Sequence, residues 1–265
     1  MKSKIKVICL IGPSQHHFST VSTLIKSGVN VCGVVVADSN KSGINFKYLN
    51  NAIKKLGIYK VIGQIIERII YKIFNSKKDK NIYNSLFNVN DKKFIKKKLG
   101  HKVLSVESYS EKIVLEFIKN SCADVLVIHT PFWVPKKVRD LVSGRVIGAH
   151  PGITQHYRGI HSPFWAIYNN DYKNIGFTIF WVNNLVDGGD IIYQGNIVPE
   201  KNDSYITLSW KGMKMISIKM ADNILKVSSV SEIKSHKYGN YSDDTIYYHP
   251  TIFNYLKYRI NSNFR

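Results

Sequence analysis

Five short apolar runs constrain the fold of this chain more than any other feature. They are "IKVICLIG" (5–12), "VNVCGVVVAD" (29–38), "KVLSVES" (102–108), "DVLVIHT" (124–130) and "RVIGAH" (145–150), all rich in valine and isoleucine. Runs that are apolar at successive rather than alternate positions are the mark of strands buried on both faces, as in parallel sheets covered by helices. Between the first two lies "PSQHHFSTVSTLIKSG", with Phe18, Val21, Leu24 and Ile25 at helical spacing and Gly28 as a stop. This β-α-β opening predicts an α/β fold with a Rossmann-like, doubly wound, mostly parallel sheet.

The remaining elements fit that plan. Residues 39–100, including "FKYLNNAIKKLG" and "KVIGQIIERIIYKIF", read as a helical insertion with exposed lysines. "SEKIVLEFIKNSCA" is a helix opened by Ser110 as its cap. "PKKVRDLVSG" is a short helix, and "SPFWAIYNND" is a helix with Pro163 in its first turn. "IGFTIFWV" and "GDIIYQGNIVPE" read as two further strands. Residues 205–226 form a long helix whose core face carries Ile206, Trp210, Met213, Ile216, Met220 and Ile224. The expected organisation is a catalytic domain over 1–200, with its insertion at about 39–100, and a C-terminal helix and tail over 201–265 packed on it. At 265 residues the chain is long enough for one large core.

The net charge of +20, from 38 Lys+Arg against 18 Asp+Glu, favours anionic ligands: nucleic acid, anionic lipid or phosphorylated small molecules. The clusters "NSKKDK" and "DKKFIKKKLG" read as solvated helix faces. They contain few aromatics, which argues against a stacking surface for single-stranded nucleic acid. The three cysteines form no C-x-x-C pair and are expected to be reduced. The N-terminal apolar run is too short for a signal peptide, and no stretch has the length of a transmembrane helix. A cytoplasmic protein without membrane insertion is expected. The first strand is followed by "GPSQHH" rather than G-x-G-x-x-G, so a dinucleotide is not expected.

Open parallel sheets bind ligands beyond the carboxyl ends of their strands. Three such ends, "IGPSQHH", "IHTPFWVP" and "GAHPGITQHYRG", carry histidine. His150, His156 and His161 are spaced six and five residues apart, with no H-E-x-x-H motif or cysteine partner, so no metal is expected there. There is no G-x-S-x-G elbow and no strand-end cysteine for covalent catalysis. Acid–base chemistry by a histidine near a carboxylate remains, and "NNLVDGGDII" supplies Asp187. Each residue also has a plainer reading. A strand-end histidine can be a hydrogen-bonded loop residue, and Asp-Gly-Gly can be an ordinary turn.

Taken together, "HPGITQHYRGIHSPFWAIYNND" and "GFTIFWVNNLVDGGDIIYQGNIVP" resemble the core of the 10-formyltetrahydrofolate-dependent formyltransferases. That family includes glycinamide ribonucleotide transformylases, methionyl-tRNA formyltransferases and sugar-nucleotide N-formyltransferases. The resemblance is specific over residues 148–199. It is carried by His150-Pro151, Tyr157-Arg158-Gly159, Gly176 with Thr178, and Asp187 with Gly189. It implies the formyltransferase fold, 10-formyltetrahydrofolate as formyl donor, and His150 and Asp187 as the catalytic pair. It also implies that Thr130, Phe132, Trp133, Val134 and Val186 line the folate site, largely through backbone groups. Gln155, Tyr157, Arg158 and Gly159 are expected at the acceptor, with Arg158 either meeting a diphosphate or fixing its own loop.

Two positions depart from the family pattern. Gly148 stands where the family has an asparagine that donates a hydrogen bond to the formyl oxygen, and Phe180 replaces the usual histidine after G-x-T-x. Loss of such a donor costs on the order of 10²–10³ in rate when nothing substitutes. A backbone N–H, a water, His129, Thr130 or Gln155 are the candidate substitutes. Too few residues follow Asp187 for the β-barrel with which methionyl-tRNA formyltransferases grip tRNA. Purine-pathway transformylases lack a lysine-rich insertion like this one. The acceptor implied is therefore a small molecule, a nucleotide-linked amino sugar of surface-polysaccharide (lipopolysaccharide) biosynthesis. The alternatives are another one-carbon transferase or a formyl-folate hydrolase on the same scaffold, or a catalytically silent binding protein. The tyrosine-rich C-terminal region is a candidate interface for a homodimer.

Overall fold

The computed structural model describes residues 4–38, 50, 53–143, 145–237 and 245–262. The five apolar runs become β1 (Lys6–Ile11), β2 (Asn30–Ala37), β3 (Val103–Val106), β4 (Val125–His129) and β5 (Val146–His150). They pair in parallel in the order β3-β2-β1-β4-β5. The sheet is extended to seven strands by β7 (Gly176–Trp181), antiparallel to β5, and β8 (Ile191–Asn196), antiparallel to β7. Strand order reverses between β1 and β4. The carboxyl ends of these two strands therefore flank the crevice where such sheets take ligands.

Helices cover both faces, as the continuous apolar runs require. On one face, α1 (Gln15–Ser27), α3 (Asp91–Leu99) and α7 (Tyr205–Leu225) bring Phe18, Leu24, Ile95, Ile216 and Met220 against Cys9, Ile11 and Val127. On the other, Val114 and Ile118 of α4 (Lys112–Ser121) and Val138 of α5 (Lys136–Arg139) cover Ile8, Leu10 and Leu126. Ser110 does not cap α4. The capping position belongs to Glu111, whose Oε1 accepts the Glu107 and Ser108 N–H groups at 2.8 Å, because its longer side chain folds back over the preceding loop.

The insertion is helical, as expected, although part of "FKYLNNAIKKLG" lies outside the described residues. Its main element is α2 (Ile58–Leu86), 29 residues long. This helix docks through polar groups. The Tyr71 and Ser204 hydroxyls converge on Asp79, and Tyr205 donates to Glu67 Oε1 at 2.9 Å. Both carboxyl groups are buried, and burial raises the pKa of each. The isoleucine stripe of α2 points outward instead, with Ile62, Ile65, Ile66, Ile69 and Ile73 all exposed.

Helix α7 starts at a capping box made by Ser204 and Thr207. Ile216, Met220 and Ile224 are buried as its spacing predicts, but Ile206, Trp210 and Met213 are only half-buried. Trp210 leaves the sheet to lie edge-on against Tyr83 of α2, with ring centroids 4.7 Å apart. Tyr205, Leu208 and Gly212 take the buried positions instead. Beyond the sheet edge, α6 (Ser162–Tyr168) and α8 (Ile252–Asn261) close a third cluster around Phe164, Tyr205, Tyr255 and Tyr258. Tyr255 and Tyr258, in the stretch read as a possible dimer surface, thus sit in the chain's own core. A small parallel pair joins β6 (Arg158–Gly159) to β9 (Ile246–Tyr247).

Candidate active site

His150 is the last residue of β5 and pairs across the sheet with Thr178 of β7. This register fixes its backbone on the rigid sheet, at the carboxyl edge. The side chain is 7% exposed, and both ring nitrogens face polar partners. Nε2 lies 2.6 Å from Ser162 Oγ, and Ser162 donates its own proton to the Tyr157 carbonyl at 3.0 Å. A hydroxyl has one proton, so Ser162 accepts from Nε2–H. That leaves Nδ1 as the ring nitrogen that Ser162 does not engage. Nδ1 lies 3.5 Å from Asp187 Oδ2. Gly152 makes the approach of Ser162 possible, since a Cβ there would fall 2.4 Å from Ser162 Cβ.

Asp187 is held in the left-handed region, at φ 46°, a conformation uncommon for a residue with a side chain. Its Oδ2 accepts the Gly159 N–H at 2.9 Å. Two residues on, Gly189 at φ 136° lets the chain pass so close to β7 that a Cβ would stand 1.8 Å from the Trp181 carbonyl oxygen. Arg158 lies beneath this loop and is only 1% exposed. Its NH1 donates to the Val186 carbonyl at 3.3 Å and its Nε to Thr245 Oγ1 at 2.9 Å. These contacts correspond to the loop-fixing role rather than the diphosphate role. Gly159 meets Asp187, and Tyr157 is buried with its hydroxyl 3.0 Å from Asp171 Oδ2. Gln155 pairs with Gln194.

The residues expected around the donor lie on two loops beside this pair. Thr130 Oγ1 accepts the Phe132 N–H at 3.2 Å, and Trp133 is 73% exposed. Val134 is buried in the core, so only its backbone can face a ligand. Leu185 and Val186 are exposed on the opposite loop. Arg139, which carries no motif signal in the sequence, joins the two loops. Its NH1 donates to the Asn183 carbonyl at 2.9 Å and its guanidinium lies 5.7 Å from the Trp133 ring centre.

Gly148 pairs with Phe180 across β5 and β7. A Cβ at position 148 would meet Val182 Cγ2 at 2.7 Å and the Phe180 ring at 3.1 Å. The two departures from the family pattern are therefore one packed, apolar unit. Of the proposed substitutes, His129 is bonded through Nδ1 to Thr20 Oγ1 at 2.8 Å, and Gln155 is held by Gln194.

Residues 43–217 match the family model described as formyl transferase. The methionyl-tRNA formyltransferase of Fusobacterium nucleatum is 26% identical over 137 residues, 51% of this chain and 44% of that protein. The GDP-perosamine N-formyltransferase of Brucella melitensis is 26% identical over 113 residues, 42% of this chain and 43% of that protein. The chain spans less than half the length of the curated relatives it matches. Among solved structures, a sugar N-formyltransferase from a Shewanella species aligns over 98% of this chain and 88% of its own, with a TM-score of 0.53 at 14% identity. Phosphoribosylglycinamide formyltransferase from Anaplasma phagocytophilum aligns over 84% and 87%, with a TM-score of 0.54 at 15% identity. At these identities the structural likeness is one of fold, which in this chain is the seven-stranded, mostly parallel sheet flanked by helices. With more than half of its length matched by the family model, the chain belongs to the formyl transferase family.

Proposed function

We propose that the chain transfers a formyl group from 10-formyltetrahydrofolate to the primary amine of a small acceptor, an amino sugar carried on a nucleotide diphosphate. The observation that carries this reading is the His150–Asp187 pair, with Nδ1 3.5 Å from the carboxylate and Nε2 anchored by Ser162. Members of the family take the formyl group from 10-formyltetrahydrofolate. The loops fit such a donor. They offer exposed apolar side chains at Trp133, Leu185 and Val186 for a flat ring, and a buried Arg139 Nε with no hydrogen-bond partner among the described residues.

In formyl transfer the amine nitrogen bonds to the formyl carbon, the bond from that carbon to N10 of the folate breaks, the amine loses a proton and N10 gains one. His150 serves this exchange at Nδ1, and Asp187 orients the ring and stabilises it while it carries the proton. Thr130, Phe132, Trp133, Val134 and Val186 remain the proposed donor contacts. Gln155, Tyr157, Arg158 and Gly159 remain the proposed acceptor wall, with Arg158 acting on it through the Val186 carbonyl. The GDP-linked substrate in the name of the Brucella relative, together with the net charge of +20, supports a nucleotide-linked acceptor.

The test is turnover of 10-formyltetrahydrofolate with a panel of nucleotide-linked amino sugars, following both the formamide product and free tetrahydrofolate. Formamide formed with at least one acceptor supports the proposal. Tetrahydrofolate and formate released at the same rate without any acceptor would establish hydrolysis instead. That is the second reading favoured by the apolar Gly148–Phe180 unit. Absence of both products would leave the silent binding protein.

A further inference from the structure

We propose that His16, His17 and His129 bind a divalent metal ion of the zinc class. His16 and His17 lie in the first turn of α1, and His129 ends β4, so the three meet at the carboxyl ends of β1 and β4 where strand order reverses. One nitrogen from each ring lies within 4.8 Å of the others, and the Nε2 atoms of His16 and His17 are 3.1 Å apart. Two nitrogens on one tetrahedral zinc, each about 2.0–2.1 Å from the ion, stand about 3.3 Å apart.

The outer contacts suit a metal site. Ligating histidines hold their second nitrogen in a hydrogen bond that fixes ring and tautomer. His16 Nδ1 is 3.1 Å from Tyr83 OH, and His129 Nδ1 is 2.8 Å from Thr20 Oγ1. Thr20 donates its proton to the His16 carbonyl at 3.2 Å, so it accepts from His129 Nδ1–H. That leaves the His129 Nε2 lone pair free to bind an ion.

Hydrogen bonding alone accounts poorly for this cluster. Only one proton fits between the facing His16 and His17 nitrogens, and the buried Nδ1 of His17 makes no hydrogen bond of good geometry among the described residues, with only the Gly12 backbone as a polar partner for the ring beyond the other histidines. Gly12 makes room for the arrangement, because a Cβ there would fall 2.6 Å from His17 Cε1. His16 is the partly exposed member and gives the ion its way in. Three neutral nitrogens leave a fourth position for water or for an anionic oxygen of a ligand.

The test uses the full chain without a histidine tag, stripped with chelator, and titrated with zinc by calorimetry and with cobalt by visible absorption. One ion per chain and the strong visible bands of four-coordinate cobalt are expected. His16→Gln and His129→Gln should each weaken binding at least tenfold. His161→Gln, in the separate pair where His161 Nε2 lies 3.0 Å from His249 Nδ1, should leave binding unchanged. No saturable binding by the wild-type chain overturns the site. So does binding that survives both triad variants, or that disappears in His161→Gln.

A separate observation concerns α2 and α8, from which we infer a surface that lies on an anionic membrane. The exposed isoleucines of α2 continue into Phe74, and α8, packed beside α2, exposes Phe253, Leu256 and Ile260. The exposed charges of α2 are all basic: Lys60, Arg68, Lys72, Lys77, Lys78 and Lys80. Its two acids, Glu67 and Asp79, are buried, and α8 carries Lys257 and Arg259 with no acid. An apolar stripe flanked only by cations matches a bilayer surface rich in anionic phospholipid. A second copy with the same charge would be repelled. Among the described residues no helix is long and apolar enough to cross a membrane, so the contact is peripheral.

Cosedimentation with vesicles tests this. The chain should pellet with phosphatidylcholine vesicles containing phosphatidylglycerol, not with phosphatidylcholine alone, and high salt should release it. Ile69→Ser with Ile73→Ser should lower binding at least tenfold at an unchanged melting temperature. No binding to anionic vesicles overturns the inference. So does concentration-dependent dimerisation that the same substitutions abolish.

Discussion

At position 148 the missing side chain and its cross-strand partner explain each other. Gly148 cannot regain an asparagine while Val182 and Phe180 fill the space above it. Gly148→Asn is expected to destabilise the fold by about 1–3 kcal/mol through overpacking, read as a lower urea midpoint. Adding Val182→Ala should recover part of that loss. A Gly148→Asn chain as stable as wild type would contradict the packing described. Ser162, the proposed positioning residue for His150, was not singled out in the sequence, because nothing in "GIHSPFW" marks its hydroxyl as a partner of His150. Ser162→Ala should lower kcat about fivefold with the donor KM unchanged, the worth of one hydrogen bond at about 1 kcal/mol. A purely structural role would lower the melting temperature without that split. His150 and Asp187 themselves could be singled out because strand ends and Asp-Gly-Gly turns leave a local signature. Arg139 carries no such signature, and the histidines of "IGPSQHH" and "IHTPFWVP" mark strand ends without showing that residues 16, 17 and 129 meet, which happens only through the strand order.

Helices and loops show where periodicity informs and where it stops. The continuous apolar runs revealed β1 to β5 because a parallel strand is buried on both sides, whatever covers it. The stripe on α2 marks an apolar face but not what that face meets. In this chain the polar face is buried, around Glu67 and Asp79, and the apolar one is left outside. Tyr205→Phe removes the donor to buried Glu67 and should cost about 1–3 kcal/mol in denaturant unfolding. An unchanged midpoint would mean that α2 docks by other means. At the junction of α6 and α8, His161 and His249 are lowered by burial to about 3 and about 4, with Arg68 adding to the shift of each and the Tyr205 ring against His161. Unfolding lets both rise towards 6.5, so the unfolded chain binds more protons than the folded one below that pH. Their contribution to stability is complete above about pH 6.5 and is lost as pH falls towards 4 and 3, at up to about 1.4 kcal/mol per group per pH unit. The melting temperature should therefore drop on acidification below pH 6.5, and His161→Gln should make that drop shallower. A melting temperature constant from pH 7 to 5 would contradict this sign.

Across the whole molecule, the strand order places β4, β5 and the Asp187 loop at one edge of one sheet, which is why distant segments of the chain converge there. The family pattern over residues 148–199 made that edge legible in the sequence. The core role of the C-terminal tyrosines was not legible, because a tyrosine-rich stretch looks the same whether it packs inward or against a partner. The central proposal is proton handling by the His150–Asp187 pair during formyl transfer. The most direct measurement is kcat for formyl transfer from 10-formyltetrahydrofolate with wild-type chain, His150→Ala and Asp187→Asn, using an acceptor that the wild type formylates. Both substitutions should lower kcat by about 10²–10⁴ while the chain stays folded and still binds the folate. Turnover by either variant at the wild-type rate would contradict the account.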